Sequence, residues 1–236
     1  MQPALKLLTL ALVTLPLATP RPPAALWGTP LLCQEFSLGE ARSLPWGDGM
    51  EGRKDYDRAR LVADTAQILK TEHDALVRME TLRRAALYAG DDRALAWELV
   101  GRLGLAVLEQ ASIGAPEALA WLDVGYLTAC LENTGADLRF RPGVAQGQEG
   151  YAYLLQALER ARAEGSGEAA AIEFAAALVV HPLTRRSPTA EDVQRYDQHL
   201  ERARAGAAPG SLLERNLAAH EQRFDAGKEG WPGGKG

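Results

Sequence analysis

Apolar residues recur along most of this chain at every third or fourth position, and glycine, proline and short polar stretches interrupt them. That spacing is the signature of amphipathic helix, not strand. Between residues 72 and 89, Leu76, Met79, Leu82 and Ala86 hold the period, and Thr71 with Asp74 predicts a capping-box start. Gly90 closes this helix and Asp91 is placed to cap the next, over 92–111. There Leu95, Trp97, Leu99, Val100, Leu103, Leu105, Val107 and Leu108 leave no polar face, which predicts a buried helix. The segment 117–132 is similarly apolar, and Pro116 suits the turn that leads into it. Further helices are expected over 149–164, 168–181, 190–205 (capped by Thr189 or Ser187) and 212–226, opened by a Ser211–Glu214 capping box, with a weaker one over 58–70. The expected fold class is all-α. Antiparallel helical hairpins, about six to seven helices, would stack as a short α-solenoid or an irregular bundle.

The ends of the chain depart from this pattern. Residues Met1–Lys6 are followed by an apolar run from Leu7 to Leu17, the layout of an export signal over residues 1–25. The run is about half the roughly 20 residues a membrane-spanning helix needs, so no span is expected once it is removed. An uncleaved signal would leave the chain associated with a membrane. Residues 26–57 are rich in proline and glycine and read as an extended arm. Phe36, Leu38, Leu44 and Trp46 are too apolar for an idle linker, so the arm is expected to dock on the helical domain, 58–226. Residues 227–236 read as a disordered tail.

Composition narrows the classes of activity. The chain has 236 residues, 47% hydrophobic and 24% charged, with Lys and Arg numbering 26 against 31 acids. Its net charge of −5 provides no cationic field for nucleic acid. No phosphate loop, dinucleotide fingerprint, nucleophile elbow or haem motif is present, and no cofactor is expected. His220-Glu221 begins like a zinc-protease helix, but Phe224 stands where the second histidine would be, and no metal site is expected. Two cysteines, Cys33 and Cys130, leave two readings open: a disulfide in an exported chain, or buried thiols packed as small hydrophobes.

Three sets of residues stand out as candidates. Glu80 with Arg83 lies beside Arg84 on one helix, which predicts an ion pair facing a groove, or ordinary surface pairing. Asp123 sits within a very apolar helix and needs a partner, expected to be a basic residue of the 72–89 helix. Trp46, Trp97 and Trp121 are the candidate aromatic contacts. Leu95-Ala96-Trp97, Val100-Gly101 and Leu103 recur 24 residues later as Leu119-Ala120-Trp121, Val124-Gly125 and Leu127. This predicts a helical hairpin in which Gly101 and Gly125 let two backbones approach closely.

The Trp97-x-x-Val100-Gly101 and Trp121-x-x-Val124-Gly125 stretches resemble the opening of a tetratricopeptide repeat, and the remainder of that pattern is absent. Such repeats are generally protein-binding scaffolds, so the resemblance implies a protein partner. The expected function is that of an exported helical-repeat-like binding or scaffold module of the cell envelope. The alternative is an envelope enzyme with a carboxylate/arginine site between helices.

Overall fold

The structure, a computed structural model, describes residues 29–47, 51–134, 148–181 and 189–225. The expected export signal and the expected 227–236 tail lie outside them. Among the described residues there are nine α-helices and no strand. They are α1 (Pro30–Cys33), α2 (Leu61–Thr71, preceded by a 3₁₀ turn at Arg58–Arg60), α3 (Ala75–Ala89), α4 (Arg93–Ile113), α5 (Ala118–Thr134), α6 (Glu149–Glu164), α7 (Ala169–Val180), α8 (Ala190–Gly206) and α9 (Leu212–His220), which runs into a π turn at Glu221–Asp225. The number exceeds the expected six to seven because the arm contributes α1 and the weakly periodic 58–70 segment forms a full helix.

Short polar side chains set the helix starts. Asp74 accepts the Leu76 and Val77 amides, and Asp92 accepts that of Leu95. Each lies downstream of the position expected: α2 runs through Thr71, so Asp74 takes over its role as cap, and Asp92 replaces Asp91. Thr189 and Asp192 close a reciprocal capping box on α8. Ser211 caps α9 through the Glu214 amide, while the Glu214 carboxylate reaches past it to Gly210. Gly114 ends α4 in the left-handed region at φ +64°, where a side chain would be strained.

Helix α5 lies at the centre, against α3, α4 and α6, and α7 is sandwiched by α6 and α8. Between α5 and α6 the two backbones approach closely at a pair of glycines. A Cβ on Gly150 would lie 2.6 Å from the Ala129 nitrogen and 2.7 Å from the Gly125 oxygen, and one on Gly125 would lie 2.9 Å from the Leu154 nitrogen. The hairpin expected between α4 and α5 is therefore not where glycine is used. Gly125 faces α6, and a Cβ on Gly101 would meet no heavy atom within 4 Å. Gly150→Ala is expected to push α5 and α6 apart and cost about 1–3 kcal/mol. A urea midpoint for this variant within error of the wild type would contradict the close approach.

Helix α4 is the other departure. Its inner face is buried through Ala96, Leu99, Val100, Leu103 and Val107, but Trp97, Leu105, Leu108 and Ile113 are 38%, 58%, 65% and 71% exposed. Its all-round apolar composition predicts burial on every side, yet α2, α3 and α5 cover only one side of it. Gly101 and Gly104 lie away from that side, and among the described residues neither would bring a Cβ within 4 Å of another atom. Each costs about 1 kcal/mol relative to alanine in a helix interior.

Candidate functional sites

Glu80, Arg83 and Trp46 come together, and what they hold is the amino-terminal arm. Glu80 and Arg83 are fully buried three residues apart on α3, joined by two hydrogen bonds, Nε to Oε2 at 2.8 Å and Nη2 to Oε1 at 2.7 Å. Arg84 adds a third, 2.6 Å to Oε1, and the Phe36 amide donates to Oε2 at 3.3 Å. The spare guanidinium nitrogens reach arm carbonyls: Arg83 donates to Leu32 at 2.9 Å and Arg84 to Leu44 at 2.6 Å. Further along the same helix, Thr81 pairs with Ser43 and the Tyr88 hydroxyl donates to the Pro45 carbonyl. The Trp46 ring lies under both guanidinium groups at 5.4 and 5.8 Å and meets Tyr88 edge-on. Phe36 and Leu44 are buried, as docking of the arm requires. The cluster is thus neither a groove-facing pair nor surface pairing. The arm covers it and takes up its hydrogen-bonding capacity.

The far end of the arm is tied to the last helix. Asn216 of α9 accepts the Ser37 amide at 2.7 Å and donates to the Ser37 carbonyl at 3.0 Å. Gln34 donates to the Asn216 carbonyl and meets Nδ1 of His220 at 2.6 Å, while Nε2 of His220 meets the Tyr196 hydroxyl at 2.8 Å. His181 is also fully buried, edge-on to Tyr196 and His220.

Asp123 finds its cation on α3, the helix expected to supply it. Arg78 donates from Nε to Oδ1 at 2.9 Å and from Nη2 to Oδ2, and both residues are buried. Nη1 holds the Leu69 and Glu72 carbonyls at the carboxyl end of α2. Burial pushes the Asp123 carboxyl up, and the Arg78 charge pulls it only part of the way back.

A third polar chain has no counterpart in the sequence expectations. His199 is buried on α8 with Nδ1 at 2.5 Å from Glu173 of α7 and Nε2 at 2.8 Å from the Tyr151 hydroxyl of α6. Arg162 donates to the other Glu173 oxygen at 2.7 Å. Burial alone would raise the Glu173 carboxyl. The His199 hydrogen bond and the nearby Arg202 and Arg162 charges outweigh it and hold the group below the usual carboxylate range. Tyrosine, imidazole and carboxylate here cross-link three consecutive helices.

The three tryptophans do not converge. Trp121 is half-buried on α5, stacked on Tyr153 of α6 and donating from Nε1 to Glu117 at 3.1 Å, whereas Trp97 stands on the open side of α4. Cys33 and Cys130 are separate thiols in this structure, Cys33 partly exposed and Cys130 buried. Burial raises both, which keeps them out of the reactive thiolate form. Among the described residues no group of three or more His, Cys, Asp or Glu could hold a metal ion. No helix among them is long and apolar enough to cross a membrane. Comparisons with protein-family models, curated proteins and solved structures find no match to this chain.

Proposed function

We propose that this chain is an exported helical module of the cell envelope that binds another protein, and that it binds through the open side of α4. The observation that carries this reading is the exposure of Leu105, Leu108 and Ile113 on one helix, where most other large hydrophobics among the described residues are enclosed. Apolar surface gathered on one element marks an interaction site more often than scattered single residues do. The buried charge clusters point the same way. Glu80, Arg83 and Asp123 are engaged by the chain's own backbone and side chains, as scaffolding requires and a substrate site does not. The export reading rests on the apolar Leu7–Leu17 run. The repeat-like reading, with successive helices paired as antiparallel hairpins in the tetratricopeptide manner, rests on the two Trp-x-x-Val-Gly openings.

The test compares residues 26–236 as bait with the same chain carrying Leu105→Glu and Leu108→Glu. Both positions are solvent-facing, so the variant is expected to keep its helical circular dichroism and melting temperature. Whatever protein the wild type retains from detergent-solubilised envelope is expected to bind the variant at least tenfold more weakly, a loss of about 1.4 kcal/mol or more. Equal retention by the two baits, or no retained partner together with no self-association of the wild type, would overturn the reading.

A further inference from the structure

Gly101 and Gly104 are costly in a helix interior, and among the described residues nothing comes close enough to need them. Beside them stand Leu105 and Leu108, more than half exposed. Hollows next to projecting side chains on one helix are the two halves of a close helix–helix contact. Their order along α4 is self-complementary. If a second α4 is laid antiparallel on the first with Leu105 beside the twofold axis, Leu108 of each copy falls over Gly101 of the other and Leu105 over Gly104. In a twofold contact each surface must match itself, and this stripe does.

Charge follows the same register. Arg102 and Glu109 are exposed on the flank of the stripe, and neither forms an ion pair within the chain among the described residues. The same antiparallel placement sets Arg102 of each copy beside Glu109 of the other, giving two symmetric pairs of opposite sign. We infer that the partner of the α4 face is a second copy of this chain, joined as an antiparallel α4–α4 pair. This rests on the reading of α4 as a binding face and names its occupant. At 1.5 Å per residue α4 is about 31 Å long, and a single helix pair of that length covers less than the roughly 800 Å² per partner of a standard interface. The dimer is therefore concentration-dependent.

Sedimentation equilibrium on the purified full chain tests this. Repeating it with residues 26–236 shows that the apolar amino terminus is not the cause of association. A reversible monomer–dimer equilibrium with a Kd of about 1–100 μM is expected, a range suited to an interface smaller than the standard. Arg102→Glu and Glu109→Arg are each expected to weaken the dimer at least tenfold, and the double exchange to restore it. Gly104→Leu is expected to raise the melting temperature by filling a helix position while abolishing the dimer, an outcome a merely structural glycine would not give. Under mild oxidation Leu105→Cys is expected to bridge two copies. Ile113→Cys, two turns further from the axis, is expected not to, and the wild-type chain controls for Cys33 and Cys130.

A wild type that stays monomeric up to about 1 mM overturns the second copy. So does a dimer that survives Leu105→Glu, or charge exchange without restoration. A monomeric wild type whose envelope partner is still lost on Leu105→Glu would reject the second copy and retain the face as a binding site. Equal envelope capture by wild type and variant would reject the face itself.

Discussion

Glu80→Ala is expected to destabilise the chain by about 3–5 kcal/mol, the cost of leaving a buried charge without its partner. Glu80 accepts four hydrogen bonds, two from Arg83, one from Arg84 and one from the Phe36 amide. Without it, a fully buried guanidinium is left, among the described residues, with the Leu32 carbonyl as its one hydrogen-bond acceptor beside the Trp46 ring, and the arm loses its central anchor. The loss should be uneven along the chain. Amide exchange across residues 29–47 is expected to accelerate by more than that of the central α5, because the arm is held chiefly through α3 and α9. Replacing Glu80 and Arg83 together by Leu and Met removes both charges and is expected to recover most of the stability, since an apolar pair of similar volume needs no desolvated ions. Urea unfolding of the three proteins, with exchange read by mass spectrometry, checks both statements. A single-variant loss below about 1 kcal/mol, the scale of an exposed pair, would show that the cluster behaves as surface pairing.

Why the sequence reads Glu80 and Arg83 as a pair but not as a buried one is a matter of distance along the chain. Spacing of three and four residues places them on one side of α3. Burial comes from Leu32, Phe36 and Leu44, between 40 and 51 positions away, and helical periodicity carries no information about contacts at that separation. The all-α class was legible, as were the Thr189 and Ser211 caps and the α3 origin of the Asp123 partner, because each depends on local spacing or on the rule that a buried charge needs a counter-charge. That rule also reaches Glu173, the lone carboxylate in the almost wholly apolar α7, and points to a cation or donor such as His199. Nothing in the period of α4 distinguishes a helix enclosed on all sides from one enclosed on one side. The difference lies in which neighbours arrive. Nor does a glycine at 125 announce that its counterpart is Gly150 instead of Gly101.

Arg78→Ala carries a second large effect, and its size should depend on pH. In the wild type, Arg78 spans two tasks, pairing with buried Asp123 and holding the carbonyls of Leu69 and Glu72 at the end of α2. Its removal leaves those carbonyls to find other donors and strands a carboxyl that is 3% exposed. At pH 8 the expected loss is about 3–5 kcal/mol. The carboxyl is already raised by burial with Arg78 present, and without that charge it rises further and stays protonated in the folded chain. The unfolded chain releases the proton near pH 4, the ordinary value for aspartate. Between that pH and the raised folded value the native state binds more protons than the unfolded state, so each step upward in pH costs stability. The variant should therefore lie closest to the wild type near pH 5 and furthest from it near pH 8. Asp123→Asn in the Arg78→Ala background removes the titrating group and is expected to flatten this dependence while recovering part of the stability. Melting temperatures of the wild type, single and double variants at pH 5 and pH 8 decide the matter. A deficit that is the same at both pH values would mean that Asp123 ionises normally without Arg78, and that the loss comes from the freed end of α2.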